Sequence, residues 1–184
     1  MKAFSIDLRQ QRLVPLLLLL AILLLALLLR IFQLDAESLW LDEASSVDIG
    51  DRNLIRVLES RPEDRNPPLY YLVLHCWMQL FGDSEFSVRL PSVLFGVLSV
   101  AMLYKIGTLL FNKWTGLISA LFMAVSANQI YYSQEARAYI MMVLLTLITF
   151  YFFWKLFEGK NYWISLDMRF LAQRSCTRTT TASY

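Results

Sequence analysis

The sequence predicts an all-α polytopic membrane protein, a partial bundle of transmembrane helices. Of its 184 residues 57% are hydrophobic and only 17% are charged, and the mean hydropathy is +0.48. Soluble domains carry about 25% charged residues, and one of this length cannot bury so much apolar surface. This composition also excludes a disordered chain. Two cysteines and one histidine exclude a disulfide scaffold and a histidine-rich zinc site, and a net charge of +2 argues against nucleic-acid binding.

The first predicted element is a transmembrane helix over residues 13–34, after a cytoplasmic N-terminus of residues 1–12. Leu13–Leu29 carries no charge, and a snorkelling Arg30 would let the helix continue to about 33 Å, enough to cross a hydrocarbon core of about 30 Å. A cleaved signal peptide is the alternative, but the apolar run is long for one and no small-x-small site follows it. The positive-inside rule places the basic residues before the run in the cytoplasm; these are Lys2, Arg9 and Arg12.

Four further apolar stretches predict transmembrane or re-entrant helices over residues 67–157. The stretches are Asn66–Gly82, Leu90–Asn112, Trp114–Gln134 and Ala138–Trp154. Five crossings would place Lys155 and Lys160 outside, against the positive-inside rule, so we favour four. Asn66–Gly82 is the weakest candidate span, because it starts with two prolines and is barely long enough to cross. Alternatively, Trp114–Gln134 could dip into the membrane and return.

Residues 35–66 are predicted to form an extracytoplasmic loop, because one crossing separates them from the N-terminus. Within the loop, residues 51–59 place Leu54, Ile55 and Leu58 on one face, which favours a short helix lying on the bilayer. After it, Arg65 could pair with a lipid phosphate or neutralise a neighbouring acid. Tyr70, just beyond the Pro-Pro pair, is expected at the membrane interface.

The loop opens with Trp40, Asp42 and Glu43, which places carboxylates at the level of the lipid headgroups. A solvated loop with an interfacial tryptophan is one interpretation. The other is a general base or a metal-binding carboxylate that acts on a substrate at the membrane surface.

A second polar segment, near residues 132–138, separates the last two apolar stretches and contains Glu135 and Arg137. Charges between apolar stretches are costly unless they have partners or a function, although these two could simply cap the flanking helices. With four crossings, this second outer loop lies on the same side as Asp42. We therefore expect the two segments to converge over one cleft at the membrane surface.

The order of these features resembles the N-terminal third of membrane glycosyltransferases of the C-type superfamily. The motifs are LWLDEASS, then NPPLYYLVLHCWMQLFGDSEFSVRLPSVLFGVLSVAMLYKIG, then ISALFMAVSANQIYYSQEARAYIMM, and the resemblance covers about Leu16 to Phe157. The most similar group is that of the lipid-A and cell-envelope glycosyltransferases related to protein O-mannosyltransferases and the aminoarabinose transferase.

The resemblance implies inverting transfer of a sugar from a polyprenyl-phosphate donor to an acceptor on the outer face of the plasma (cytoplasmic) membrane. The acceptor would be lipid A or lipopolysaccharide, a glycan or a protein. Asp42 would be the catalytic base with Glu43 beside it, and Glu135 would help to bind a divalent cation, Mg²⁺ or Mn²⁺. Substrate-binding roles fall to Arg137, Arg65 and Tyr70, with Arg137 on the donor phosphate.

Relatives in the superfamily are longer, so we expect this chain to be a partial gene product whose tail, residues 158–184, is non-native. The alternative to an enzyme is therefore a truncated, non-catalytic membrane fragment or an assembly partner of the same family. A transporter is a more distant alternative, because the charges cluster in loops rather than in the middle of helices.

Overall fold

The computed structural model describes residues 2–51 and 68–158, with side chains from residue 13 onward, and the regular secondary structure of these segments is entirely α-helical. Residues 52–59 of the predicted surface helix, Arg65 and the tail after 158 lie outside the described residues. Within them, the helices in chain order are α1 (Lys2–Ile31), α2 (Leu41–Asp51), α3 (Pro68–Phe81), α4 (Glu85–Leu110), α5 (Lys113–Val125), α6 (Ala127–Ser133) and α7 (Tyr139–Glu158).

Three of the described helices are long and apolar enough to cross a membrane: Leu13–Ile31 of α1, then α4 and α7. The shorter α5 is also apolar. These helices confirm the predicted fold class. In contrast, α3 has 14 residues, and at 1.5 Å per residue it covers about 21 Å of a core of about 30 Å. The described helix of this candidate span is therefore too short to cross as a straight helix by itself.

The chain divides into two compact units, Met1–Leu147 and Ile148–Tyr184. The first contains α1 to α6 and the start of α7. The described part of the second is the remainder of α7, where Lys155 lies over the ring of Tyr151 and Phe153 packs against Phe157. All the site residues below belong to the first unit.

Two apolar clusters hold the first unit together. One joins α1, α4 and α5 through Ala26, Val100, Ala120 and Ala124, all fully buried, so that small side chains let the helices approach closely. The other lies among α2, α3, α4 and the start of α7; its buried members are Ile49, Tyr70, Tyr71, Leu74, Met78, Val88, Ala136, Ala138 and Met141.

Arg30 does not snorkel to the surface as the sequence analysis expected. Its side chain is fully buried, and α1 ends at Ile31 rather than at residue 34. The guanidinium donates to the carbonyl of Ala26 on its own helix, and to those of Met123 (3.3 Å) and Ala124 (3.1 Å) at the end of α5. Burial is tolerated because these hydrogen bonds replace water.

The stretch Trp114–Gln134, predicted as one segment, is two helices. Ser126 interrupts it with an extended backbone (ψ 118°), so the carbonyls at the end of α5 lack helical partners. Arg30 supplies those partners, and its charge also suits the negative end of the helix dipole. The break in α5–α6 is thus stabilised by a residue of α1.

Gly96 of α4 makes room for this arrangement. A Cβ there would lie 2.8 Å from Nε of Arg30 and would clash with Oγ of Ser133. Arg30 also donates to this hydroxyl, over 3.1 Å. The missing side chain therefore lets α1 and α6 contact α4 at the same point.

Candidate functional site

The two polar segments predicted to converge do meet, at the end of the bundle where α1 ends and α4 and α7 begin. Arg137, between α6 and α7, forms an ion pair with Asp42 in the first turn of α2. Next to it, the backbone N–H of Ala136 donates to Glu43 over 2.8 Å. Gln134 donates to the carbonyl of Phe32, over 2.9 Å, and so ties the segment to the end of α1. The predicted convergence is confirmed.

The helix α2, which carries both acids, lies in a stretch that the sequence analysis assigned to a loop. Asp42 and Glu43 occupy its first turn, where negative charge complements the helix dipole. Two serine hydroxyls bond back to carbonyls four residues earlier, Ser45 to Leu41 and Ser46 to Asp42. Because the turn is helical, the two neighbouring acids point in different directions and acquire different partners.

Asp42 has the more accessible of the two carboxylates. Its side chain is 47% exposed, and Oδ2 lies 2.8 Å from Nη1 of Arg137, whose side chain is 17% exposed. The guanidinium also lies against two aromatic rings, 5.5 Å from the centroid of Trp40 and 4.6 Å from that of Tyr139. These cation–π contacts hold the arginine in place independently of its ion pair.

Glu43 is instead sealed inside the protein by Arg89. Its side chain is 1% exposed, and its two oxygens accept from Nε and Nη2 of Arg89 at 3.0 and 2.7 Å. Arg89 also donates to the carbonyls of Leu34 (2.7 Å) and Glu37 (2.9 Å). A carboxylate engaged in this way favours a positioning role over proton transfer. From the sequence, Arg89 is expected to be an interfacial arginine at a helix start; the structure instead buries it, and its pairing with Glu43 was not predicted.

A cavity of about 510 Å³ opens beside Glu43 and Arg89, which both line it together with other polar and apolar residues. Glu135 lines it, 6% exposed, and its Oε2 has no hydrogen-bond partner among the described residues. The hydrogen bond and negative charge of Glu135 raise the pKa of the Tyr131 phenol. Besides Glu135, the lining residues are Leu29, Phe32, Gln33, Leu34, Ala36, Glu37, Ser38, Trp40, Glu43, Arg89, Ile130, Tyr131 and Gln134.

The predicted metal site is not preformed within the described residues. No group of three histidine, cysteine, aspartate or glutamate side chains there could hold a metal ion. Three carboxylates line the cavity: Glu43 is paired with Arg89, Glu37 lies between α1 and α2, and Glu135 has an oxygen without a hydrogen-bond partner among the described residues. A cation held there would need further oxygen ligands, such as the phosphate oxygens that complete many Mg²⁺ sites.

Two predicted substrate-binding residues are not part of this arrangement. Arg65 lies outside the described residues. Tyr70 does not face the membrane interface: it is fully buried, and its hydroxyl lies 3.0 Å from that of Ser92 on α4. Burial also raises the pKa of the Tyr70 phenol. Its position in the core links α3 to α4 and gives it no contact with the cavity.

The fold and the site define a multi-pass helical membrane protein with a paired carboxylate and guanidinium at one end of its bundle. Residues 65–172, more than half of the chain, match the family of the dolichyl-phosphate-mannose-protein mannosyltransferases, and the chain belongs to this family. Membership implies glycosyltransferase activity in general. The matched region includes Arg89, Glu135 and Arg137, whereas Asp42 and Glu43 precede it. No curated protein and no solved structure matches the chain significantly.

Proposed function

We propose that this chain transfers a sugar from a polyprenyl-phosphate donor to an envelope acceptor on the outer face of the plasma membrane. The acceptor is lipid A or lipopolysaccharide, a glycan or a protein. The observation that carries the proposal is the half-exposed Asp42 carboxylate, paired with Arg137, in a member of a family named for transfer from dolichyl-phosphate-mannose. The chain neighbours of this pair, Glu43 and Glu135 among them, line the cavity. A lipid-linked donor also suits a site at the end of membrane helices.

Asp42 is the general base of the proposed reaction. It accepts the proton of the acceptor hydroxyl as that oxygen attacks the anomeric carbon from the side opposite the phosphate. The bond between the anomeric carbon and the phosphate oxygen breaks, and its electron pair stays on the leaving polyprenyl phosphate. The reaction therefore inverts the anomeric centre. Arg137 meets the charge that develops on the leaving phosphate.

The other acids have supporting roles in the proposal. Glu43, with Arg89, fixes the first turn of α2 against the segment that carries Arg137. Glu135 provides the open carboxylate oxygen of the cavity, for a hydroxyl group of a substrate or for a divalent cation, Mg²⁺ or Mn²⁺, whose other ligands come from the substrate. The basic residues in the N-terminal part of α1, which are Lys2, Arg9 and Arg12, support a cytoplasmic N-terminus with both polar segments outside.

The experiment compares Asp42→Asn with Asp51→Asn, a matched exchange of an exposed acid at the other end of α2. Membranes that contain each protein receive radiolabelled polyprenyl-phosphate sugars, and label is counted in the protein, glycan and lipid fractions. Loss of a general base reduces transfer by about 10²- to 10⁴-fold. We expect this loss for Asp42→Asn and activity within about twofold of the wild type for Asp51→Asn.

Transfer at the wild-type rate by Asp42→Asn would refute the assignment of the base. Absence of transfer by the folded wild-type chain from every donor would favour the non-catalytic alternative. The fraction that receives label identifies the class of acceptor.

A further inference from the structure

Asp42 and Arg137, the two residues that the proposed reaction uses, form an ion pair with each other. Asp42 must accept a proton and Arg137 must meet a phosphate, yet Oδ2 of the first lies 2.8 Å from Nη1 of the second. A phosphate that approaches the guanidinium therefore competes with the Asp42 carboxylate. The geometry makes the phosphate site and the base interdependent.

The site contains two acid–arginine pairs that differ in whether they can exchange partners. Glu43 and Arg89 are buried, at 1% and 7% exposure, and separating them would leave a charge without water. Asp42 is 47% exposed, so water can replace its arginine, and an ion pair that water can reach is only weakly held. Of these two ion pairs, only that of Asp42 and Arg137 is suited to break and re-form during a reaction.

The aromatic contacts of Arg137 allow it to change partner without moving away. Trp40 and Tyr139 lie within 5.5 Å of the guanidinium carbon, and neither ring contributes a charge that a phosphate would have to displace. A guanidinium has five N–H donors and binds phosphate through two parallel hydrogen bonds. Arg137 can thus give its donors to a phosphate while its position stays fixed.

We propose that Arg137 acts as a latch on Asp42, which the phosphate group of a polyprenyl-phosphate ligand opens. The latch rests on the proposed function and extends it: the base becomes free to accept a proton only after the lipid phosphate has taken the guanidinium. The donor then binds before the hydroxyl of the acceptor is activated. Once the polyprenyl phosphate leaves, Arg137 returns to Asp42.

The test measures binding rather than transfer, so it does not depend on knowing the sugar or the acceptor. The purified chain in lipid nanodiscs is titrated with farnesyl phosphate, an isoprenyl monophosphate, and with farnesol as the uncharged control. The four proteins of a double-mutant cycle are compared: wild type, Asp42→Asn, Arg137→Gln and the double variant. Asp51→Asn serves as the control for removal of a nearby acid.

The latch predicts that Asp42→Asn binds farnesyl phosphate about twofold to fivefold more tightly than the wild type, because the competitor for Arg137 is gone. Arg137→Gln weakens binding, and in its background Asp42→Asn has no further effect. Simple repulsion between Asp42 and the phosphate would instead give the same tightening with or without Arg137, and that result would overturn the latch. Unchanged or weaker binding by Asp42→Asn would also overturn it.

Two further measurements separate the latch from folding defects and from the proposed function. Arg137→Lys keeps the charge but loses the two-pronged contact, so its affinity should lie between those of the wild type and Arg137→Gln. Farnesol binding should be equal in all variants, which reports an intact apolar site. If the chain shows the predicted binding cycle but transfers no sugar, the latch stands and the proposed catalysis is refuted. If the chain transfers sugar but does not show the binding cycle, the proposed catalysis stands and the latch is refuted.

Discussion

Removal of Arg89 is expected to destabilise the protein more than any exposed substitution at this site. Arg89→Met deletes a guanidinium that makes two hydrogen bonds to Glu43 and two to backbone carbonyls, those of Leu34 and Glu37. Within the described residues, the buried carboxylate of Glu43 would then keep one hydrogen-bond donor, the N–H of Ala136. The substitution therefore leaves a carboxylate that is neither hydrated nor neutralised.

The magnitude follows from the burial of the pair. Breaking a buried ion pair by removing one partner costs about 3–5 kcal/mol. In a chain of this size that corresponds to a fall in Tm on the order of 6–20 °C. The matched control is Arg137→Met, the same exchange in the exposed pair, for which about 0.2–1 kcal/mol is expected.

The assay is thermal unfolding in detergent or nanodiscs, followed by the loss of helical circular dichroism. The double variant Arg89→Met/Glu43→Met removes both charges and replaces them with apolar side chains. It should recover at least about 1 kcal/mol of the loss, because its interior no longer contains an isolated charge. Equal Tm values for the Arg89 and Arg137 variants, or a double variant no better than Arg89→Met, would refute this reasoning.

Three further predictions concern the neighbourhood of the site. Gly96→Ala should lower the free energy of unfolding by about 1–3 kcal/mol in a chemical denaturation series, because its methyl group would clash with Ser133; an unchanged midpoint would contradict the packing. With both native cysteines replaced, Gln134→Cys should react with an impermeant thiol reagent added outside intact cells, and labelling only after permeabilisation would refute the four-crossing topology. Glu135→Gln should lower the pKa of the Tyr131 phenol, because the hydrogen bond and negative charge of Glu135 raise it in the wild type. Ultraviolet titration, with Tyr131→Phe to identify the signal, measures the shift, and an unchanged pKa would contradict the contact.

The parts of the fold that local composition controls were predictable from the sequence. Long uncharged runs predict membrane helices because, in lipid, a helix satisfies all the backbone hydrogen bonds of a single segment internally. The meeting of Asp42 and Arg137 followed from counting crossings, since an even number of helices between two loops returns the chain to the same side. The chemistry of these two residues pointed to a site before any contact was known.

Contacts between distant residues were not predictable in the same way. Glu43 and Arg89 are 46 positions apart, and nothing local distinguishes a buried arginine near a helix start from one at the membrane interface. Ser126 interrupts an apolar run that contains no glycine or proline at that point, and the break depends on Arg30, about 94 positions away. Tyr70 resembled an interfacial tyrosine because its hydroxyl partner, Ser92, lies on another helix.

The burial of Arg30 means that α1 is more than an interchangeable membrane anchor. Its guanidinium serves as the hydrogen-bond donor for the end of α5, so another apolar helix of equal length would hold the chain in the bilayer but leave those carbonyls unpaired. Assembly must also follow an order. Because α1 precedes α5 in the chain, Arg30 is synthesised before the carbonyls that it binds, and its hydrogen bonds can form only after α5 has followed. Thus the guanidinium of α1 lacks these hydrogen-bond partners until α5 is in place.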